Sequence, residues 1–349
     1  MNEQKYQEII KQILSRISGL TIIGTNDKPE IGNKVVGFDV MVQVIGKPYY
    51  LIVDVKQKGT PLSIRIAIDS LRKIIPQNNT GSPYCVVAAP FITDAGRELC
   101  REARIGCIDL AGNCYMNFGT VYLEIKGNPN PSPYQPNLSL FSPKSSRISR
   151  VLLSNITKLW QVQEIAKEAD VSLGLASKIK DQLKEEGFLI EESRLLKLVS
   201  PDRLLDAWSE KYSYKRNRLY EFYSNSNVAA IEWAVQANCF NNNIKCALTL
   251  FSGAARVAPH VRMEKAFIYV EKGIDRLTKT LDFKTVTSGP NVMLLEPYDQ
   301  SVFYKTQMVG ADVVVSNIQL YLDLKRYKGR GEEAAEFLKQ AKLKKEFGL

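Results

Sequence analysis

Apolar spacing divides the chain into three structured stretches. In the first, Tyr6, Ile9, Ile10, Ile13 and Leu14 recur at helical intervals and predict an N-terminal helix. Two β-rich runs follow, at 35–45 and 49–55, with Gly46-Lys47-Pro48 as the turn between them. Residues 64–75 return to helical spacing, 84–89 read as a buried strand, 93–103 as a helix and 106–110 as a strand. Alternation of this kind predicts an α/β/α sandwich.

The pattern stops over 127–146, where Pro129, Pro131, Pro133, Pro136 and Pro143 are interspersed with Asn and Ser. Proline at this density disfavours both helix and sheet, so 129–146 reads as an extended linker. Helical spacing resumes with Ile148, Val151, Leu152 and Ile156, and a second helix over 162–168 presents Ile165 and Ala166 inward. Asp170 or Ser172 can cap a third helix, whose inner face is Leu175, Ala176, Ile179 and Leu183. Two short strands, 187–190 and 195–198, surround Glu191-Glu192-Ser193-Arg194. The remainder, 209–349, is mixed: a helix near 229–237, strands at 246–250, 265–270 and 292–295, and a small-residue turn at Ser252-Gly253-Ala254-Ala255. The chain is thus α+β and multidomain, with 1–128, 147–208 and 209–349 as its domains.

Its 349 residues suffice for several buried cores. No apolar run approaches membrane-spanning length and the first residues show no signal-peptide core, so a cytoplasmic location with no membrane contact is expected. Six cysteines include no CxxC pair, and His260 is the single histidine, which argues against zinc and for reduced thiols. The net charge of +10 favours polyanionic partners. Lys and Arg exceed Asp and Glu by 15 to 12 in 1–128, by 11 to 10 in 129–208 and by 21 to 15 in 209–349. The central stretch therefore carries little of the excess, apart from a local cluster at Lys144, Arg147, Arg150 and Lys158.

In the first stretch, Asp39 lies on one hairpin strand, and Asp54 and Lys56, two residues apart, project from one side of the next. Helix, Asp, Asp-x-Lys, helix and strand, in this order over about 1–125, resemble the PD-(D/E)xK restriction-endonuclease-like superfamily. Phe38 stands where that family has proline, and Asp54 where glutamate is commoner. The resemblance implies a Mg²⁺-dependent nuclease in which Glu8, Asp39 and Asp54 hold metal while Asp39, Asp54 and Lys56 serve catalysis. Alternatively, Asp54, Lys56 and Lys58 are a solvated strand end that resists aggregation. Asp109 and Asn113 fit a cleft border or, more simply, a tight turn around Gly112.

Three helices followed by a hairpin resemble the winged helix-turn-helix of MarR-like regulators, with Ala166 small enough for the helices to cross closely. That resemblance implies binding to double-stranded DNA through Arg147, Arg150, Ser172, Ser177, Lys178, Lys180 and the wing residue Arg194, with no cofactor required. A protein-interaction platform is the alternative, given Glu191 and Glu192. The basic, aromatic run Lys211, Tyr212, Tyr214, Lys215, Arg216, Arg218, Tyr220 suits phosphates or a core equally well.

Near the C-terminus, Leu322-Asp323-Leu324 and Gly329-Arg330-Gly331-Glu332-Glu333-Ala334-Ala335, together with the Ser252 turn and the upstream winged helix, resemble the AbiEi family over about 147–340. This implies an antitoxin and transcriptional autorepressor of a type IV toxin-antitoxin system, opposing a nucleotidyltransferase-like toxin. Nucleotidyl transfer by this chain itself is disfavoured, because the strand Ala266-Phe267-Ile268-Tyr269-Val270 lacks paired carboxylates. A homodimer is expected.

Overall fold

A computed structural model of the chain describes residues 3–27, 30–31, 34–35, 37–73, 83–130, 139–261 and 264–348. The chain divides into two compact units, residues 1–136 with 184–187, and residues 137–183 with 188–349. Both mix helices with sheet.

The first unit is built on a sheet of seven strands, β1 (Leu20–Asp27), β2 (Phe38–Val44), β3 (Lys47–Val55), β4 (Tyr84–Ala89), β5 (Gly106–Asp109), β6 (Cys114–Phe118) and β7 (Val121–Ile125), which lie in chain order. β1, β2 and β3 are antiparallel, β3, β4 and β5 parallel, and β6 and β7 antiparallel again. Alternation along the strands serves two cores. Phe38, Val40, Leu51 and Val53 join Tyr6, Ile10 and Leu14 of helix α1 (Glu3–Leu14) on one face. Ile52, Val87 and Cys107 join α2 (Pro61–Arg72) and α3 (Asp94–Glu102) on the other.

The hairpin between β2 and β3 turns at Ile45-Gly46, both left-handed at φ 49° and 80°, earlier than the expected Gly46-Lys47-Pro48. Two left-handed residues match the strand twist, so Lys47 and Pro48 are already paired with Val44 and Gln43. The strands β1, β6 and β7 had no counterpart in the sequence reading. Pro131, Pro133 and Pro136 of the expected linker lie outside the described residues. Its last residues do not extend the linker, because Pro143 opens helix α4 (Pro143–Leu153); proline at a first helical position forfeits no hydrogen bond.

In the second unit, α4 is followed by α5 (Val162–Glu168), α6 (Leu173–Glu185), a hairpin of β8 (Leu189–Glu192) and β9 (Leu195–Leu198), and α7 (Pro201–Lys211). Trp160 adds a single bridge to Leu196 of the hairpin, donating and accepting backbone bonds at 3.0 and 2.8 Å. Then comes a six-stranded sheet, in the order β10 (Arg218–Phe222), β13 (Val292–Glu296), β12 (Ala266–Val270), β11 (Cys246–Leu248), β15 (Asp312–Val314), β14 (Gln307–Val309). It packs with α8 (Val228–Asn241), α9 (Leu250–Val257), α10 (Ile274–Thr280), α11 (Asn317–Lys325) and α12 (Gly331–Leu338).

One hydrophobic core runs from Ile148 and Leu183 through Trp208 and Tyr212 to Phe267 and Leu322, so the expected separation at 208–209 is not a break in packing. Trp208 is fully buried, and its truncation to alanine would cost about 3–5 kcal/mol. Tyr212 and Tyr214 are buried here, which decides for the core reading of those two residues. Ser252-Gly253-Ala254-Ala255 corrects the expected turn: it lies inside helix α9. Gly253 has no room for a side chain, since a Cβ there would stand 2.5 Å from Leu320 Cδ2. The Ser252 hydroxyl accepts the Phe267 amide at 2.9 Å.

Candidate nucleic-acid interface

The residues from α4 to β9 form their surface from local rules. Gln161 donates its backbone N–H to Glu164 Oε2 at 2.8 Å, closing a capping box that starts α5. Asp170, left-handed at φ 50°, reverses the chain. Ser172 then accepts the Leu175 amide at 3.3 Å and opens α6. Ala176, Ile179 and Leu183 turn inward with Ile165 and Ala166. A helix burying those positions must present Gly174, Lys178 and Asp181 to solvent, and all three are exposed, as are Ser172 and Leu173.

Lys178 and Ser172 are both open to solvent. Ser177 is half-buried on the flank. Lys180 lies nearer the inward direction, 17% exposed, with Nζ 2.9 Å from Asp181 Oδ1, so it is not part of the exposed stripe. In the hairpin, Ser193 and Arg194 are both left-handed, at φ 50° and 67°, which gives a two-residue turn with Arg194 exposed at its tip.

Two residues expected at phosphates are withdrawn from solvent. Arg147 donates from Nε to both Asp299 carboxylate oxygens at 3.1 and 3.0 Å, and from Nη1 to Asp170 Oδ2 at 2.8 Å. Burial works against the Asp299 carboxylate, but hydrogen bonds from Arg147 and Ser301 outweigh it and hold its pKa below the usual aspartate range. Arg150 is 2% exposed, with its guanidinium carbon 4.9 Å from the centroid of the Trp208 ring. Arg147 is half-buried and held by two carboxylates and Arg150 is enclosed, so neither is presented to solvent as Lys178 is, because an amphipathic helix buries one face and both project towards it.

Lys144 and Lys167 instead line an open groove of about 490 Å³ with Ser172 and Leu175, beside the start of α6. Both are exposed. Lys167, Leu173 and Lys197 were not singled out from the sequence. Their only signal there was a charged or apolar residue at a helical or strand position that the core does not use.

In the first unit, Asp54 and Lys56 pair at 2.8 Å at the end of β3. The register sets Asp39 opposite Ile52, so Asp39 is a diagonal neighbour of Asp54 on the same face, the one facing α2 and α3. Glu8 does not join them. It is exposed on α1, which packs on the opposite face, because alternate residues of a strand point to opposite sides. Among the described residues no group of three His, Cys, Asp or Glu is placed to hold a metal ion.

Asp109 closes a turn: its carboxylate accepts the amides of Ile92, Ala111 and Asn113 at 3.2, 3.0 and 2.9 Å. The six cysteines are free, and Cys100, Cys107 and Cys114 lie on three different elements. Among the described residues no helix is long and apolar enough to cross a membrane.

No curated protein and no solved structure matches the chain. One family model does, and its matched residues start at Lys197, in β9, so α4 to α6 lie outside them along with the whole 1–136 stretch. The match is narrower than the 147–340 read from the sequence. Residues 197–344 match the model described as transcriptional regulator, AbiEi antitoxin, Type IV TA system, which supports the AbiEi family for the C-terminal part of the chain.

Proposed function

We propose that residues 143–198 are a winged helix that binds double-stranded DNA, and that the protein is an antitoxin-type autorepressor of a type IV toxin-antitoxin system. The observation that carries this reading is the exposed start of α6, with Ser172, Gly174 and Lys178 open to solvent and Lys144 and Lys167 in the adjoining groove. Short and glycine side chains allow close approach to base edges, and lysines beside them neutralise phosphates. Arg194 and Lys197 supply positive charge on the hairpin. The second unit then opposes a nucleotidyltransferase-like toxin, and the protein acts as a homodimer whose two copies read paired half-sites.

The test is fluorescence anisotropy with the protein's own upstream promoter fragment over a salt series. Lys178→Ala and Lys144→Ala are expected each to weaken binding and lower the log–log salt slope by about 0.9. Wild-type slopes in both variants would remove the α6 face from the interface. Co-expression with the neighbouring reading frame tests the antitoxin part, and rescue of growth is the expected result.

A second reading, a Mg²⁺-dependent nuclease, is favoured by the shared face of Asp39, Asp54 and Lys56. Plasmid cleavage that requires Mg²⁺ and is abolished by Asp54→Ala and Lys56→Ala would move it ahead of the regulator reading.

A further inference from the structure

Arg150 is an enclosed cation in the second unit. Its Nε and Nη1 are buried without a hydrogen-bond partner. Two buried carboxylates of the second unit that could have served it already have donors. Asp323 accepts from Tyr212, Tyr269, Thr249 and Gln319, and Asp299 accepts from Arg147 and from the Ser301 amide. Stacking on Trp208 offers one face of the guanidinium a partner but leaves its in-plane donors unmet. A buried charge lacking a counter-charge is costly, and a folded protein keeps one where something else supplies the opposite charge.

Arg150 lines a cavity of about 270 Å³, near the lower end of the size range of small-molecule sites. Lys245 adds a second cation, Gln300 and Ser301 add polar groups, and Val151 and Phe303 supply apolar wall. The two acidic residues on the lining are engaged: Glu168 accepts the Tyr304 hydroxyl at 2.7 Å, and Asp170 is held by Arg147. On the lining itself three cations, Arg147, Arg150 and Lys245, stand against Glu168 and Asp170.

We propose that this cavity binds a small organic oxyanion, a carboxylate or a phosphate monoester, whose anionic group pairs with Arg150 and Lys245 while its body lies against Val151 and Phe303. The cavity also touches the turn that sets α6. Asp170 joins α5 to α6, and Arg147 ties it to Asp299, next to Gln300 and Ser301. Occupancy is thereby coupled to α6, and this clause alone rests on the DNA-binding reading.

Isothermal titration calorimetry of the full chain at low ionic strength tests the site without DNA. The probes are inorganic phosphate and acetate, with phenyl phosphate and benzoate as their counterparts carrying an apolar body. At least one of the latter pair is expected to bind saturably and tenfold or more tighter than its bare ion, and which pair responds identifies the anion chemistry. Arg150→Met, which replaces a buried charge with a similar volume, is expected to keep the circular dichroism spectrum and melting temperature and to weaken binding at least tenfold. Lys245→Ala, at an exposed position, is expected to weaken it several-fold. Absence of saturable binding to all four probes overturns the proposal, as does wild-type affinity in folded Arg150→Met. Should that variant not fold, wild-type affinity in Lys245→Ala overturns it instead. The bound probe is further expected to change promoter affinity, and an unchanged affinity overturns the coupling while the site stands.

Discussion

The Tyr212 hydroxyl, at the end of α7, donates a 2.6 Å hydrogen bond to Asp323 Oδ1 in α11, and both residues are buried. Thr249 holds the other oxygen, Oδ2, at 2.6 Å, and Tyr269 and Gln319 complete the set at 3.1 and 2.9 Å. Burial pushes the Asp323 carboxyl above the usual aspartate range, opposed by these four donors. The Leu322-Asp323-Leu324 run, which lies within the matched family residues, is thus a core fastening between α7 and the six-stranded sheet. Tyr212→Phe removes one donor to a buried acid and is expected to cost about 1.5–3 kcal/mol in urea unfolding. A loss below the error of the extrapolation would show that the remaining donors compensate.

Arg147 and Asp299 make a pH-dependent contribution of definite sign. The folded-state pKa of Asp299 is depressed, so its stabilisation is fully present above the unfolded value and is lost as pH falls through the folded one. The stability difference between wild type and Asp299→Asn is expected to be constant from neutral pH down to about 5, and to shrink only below the ordinary aspartate value of 3.8. A difference that already shrinks near neutral pH would show that another group controls it.

Arg147 and Lys178 should also separate in DNA binding. Arg147→Ala leaves the Asp299 carboxylate largely buried without its partner, and is expected to lower stability by on the order of 2 kcal/mol. That is less than for a fully enclosed pair, because the Arg147 side chain is 19% exposed. At a temperature where the variant is folded, its salt slope on promoter DNA is expected to equal that of the wild type, in contrast to Lys178→Ala. A reduced slope would put Arg147 at a phosphate after all.

Gly253 tests the close packing of α9. A Cβ there stands 2.5 Å from Leu320 Cδ2 and 3.1 Å from both the Leu248 carbonyl and Val314 Cγ1. Gly253→Ala is expected to destabilise by about 1–3 kcal/mol through overpacking, read as a lowered melting temperature. Ala255→Ser, on the same helix, serves as a comparison that adds no such contact to Leu320.

Local pattern determined much of this chain by itself. Val162, Ile165 and Ala166, at i, i+3 and i+4, specify α5 at 162–168, because periodicity acts within one turn. Tyr84–Ala89 was legible as a strand for the same reason, being short, apolar and β-branched. Lys178 could be placed on the exposed side of α6 because Ala176, Ile179 and Leu183 fix which side is buried.

What only the tertiary structure decided is what distant residues do to a side chain. Arg147 and Arg150 look from the sequence like phosphate contacts ahead of a DNA-reading helix, yet Asp299, 152 residues away, holds the first and Trp208 stacks on the second. Ser252 to Ala255 have the composition of a turn and form a helix, and it is the packing of Leu320 and Val314 against Gly253 that excludes a side chain there. Glu8 is separated from Asp39 and Asp54 by the sheet itself, a matter of which face α1 covers. Helix and strand spacing are set by backbone geometry within a few residues, whereas the partner of a charge is set by whichever elements the core brings to it.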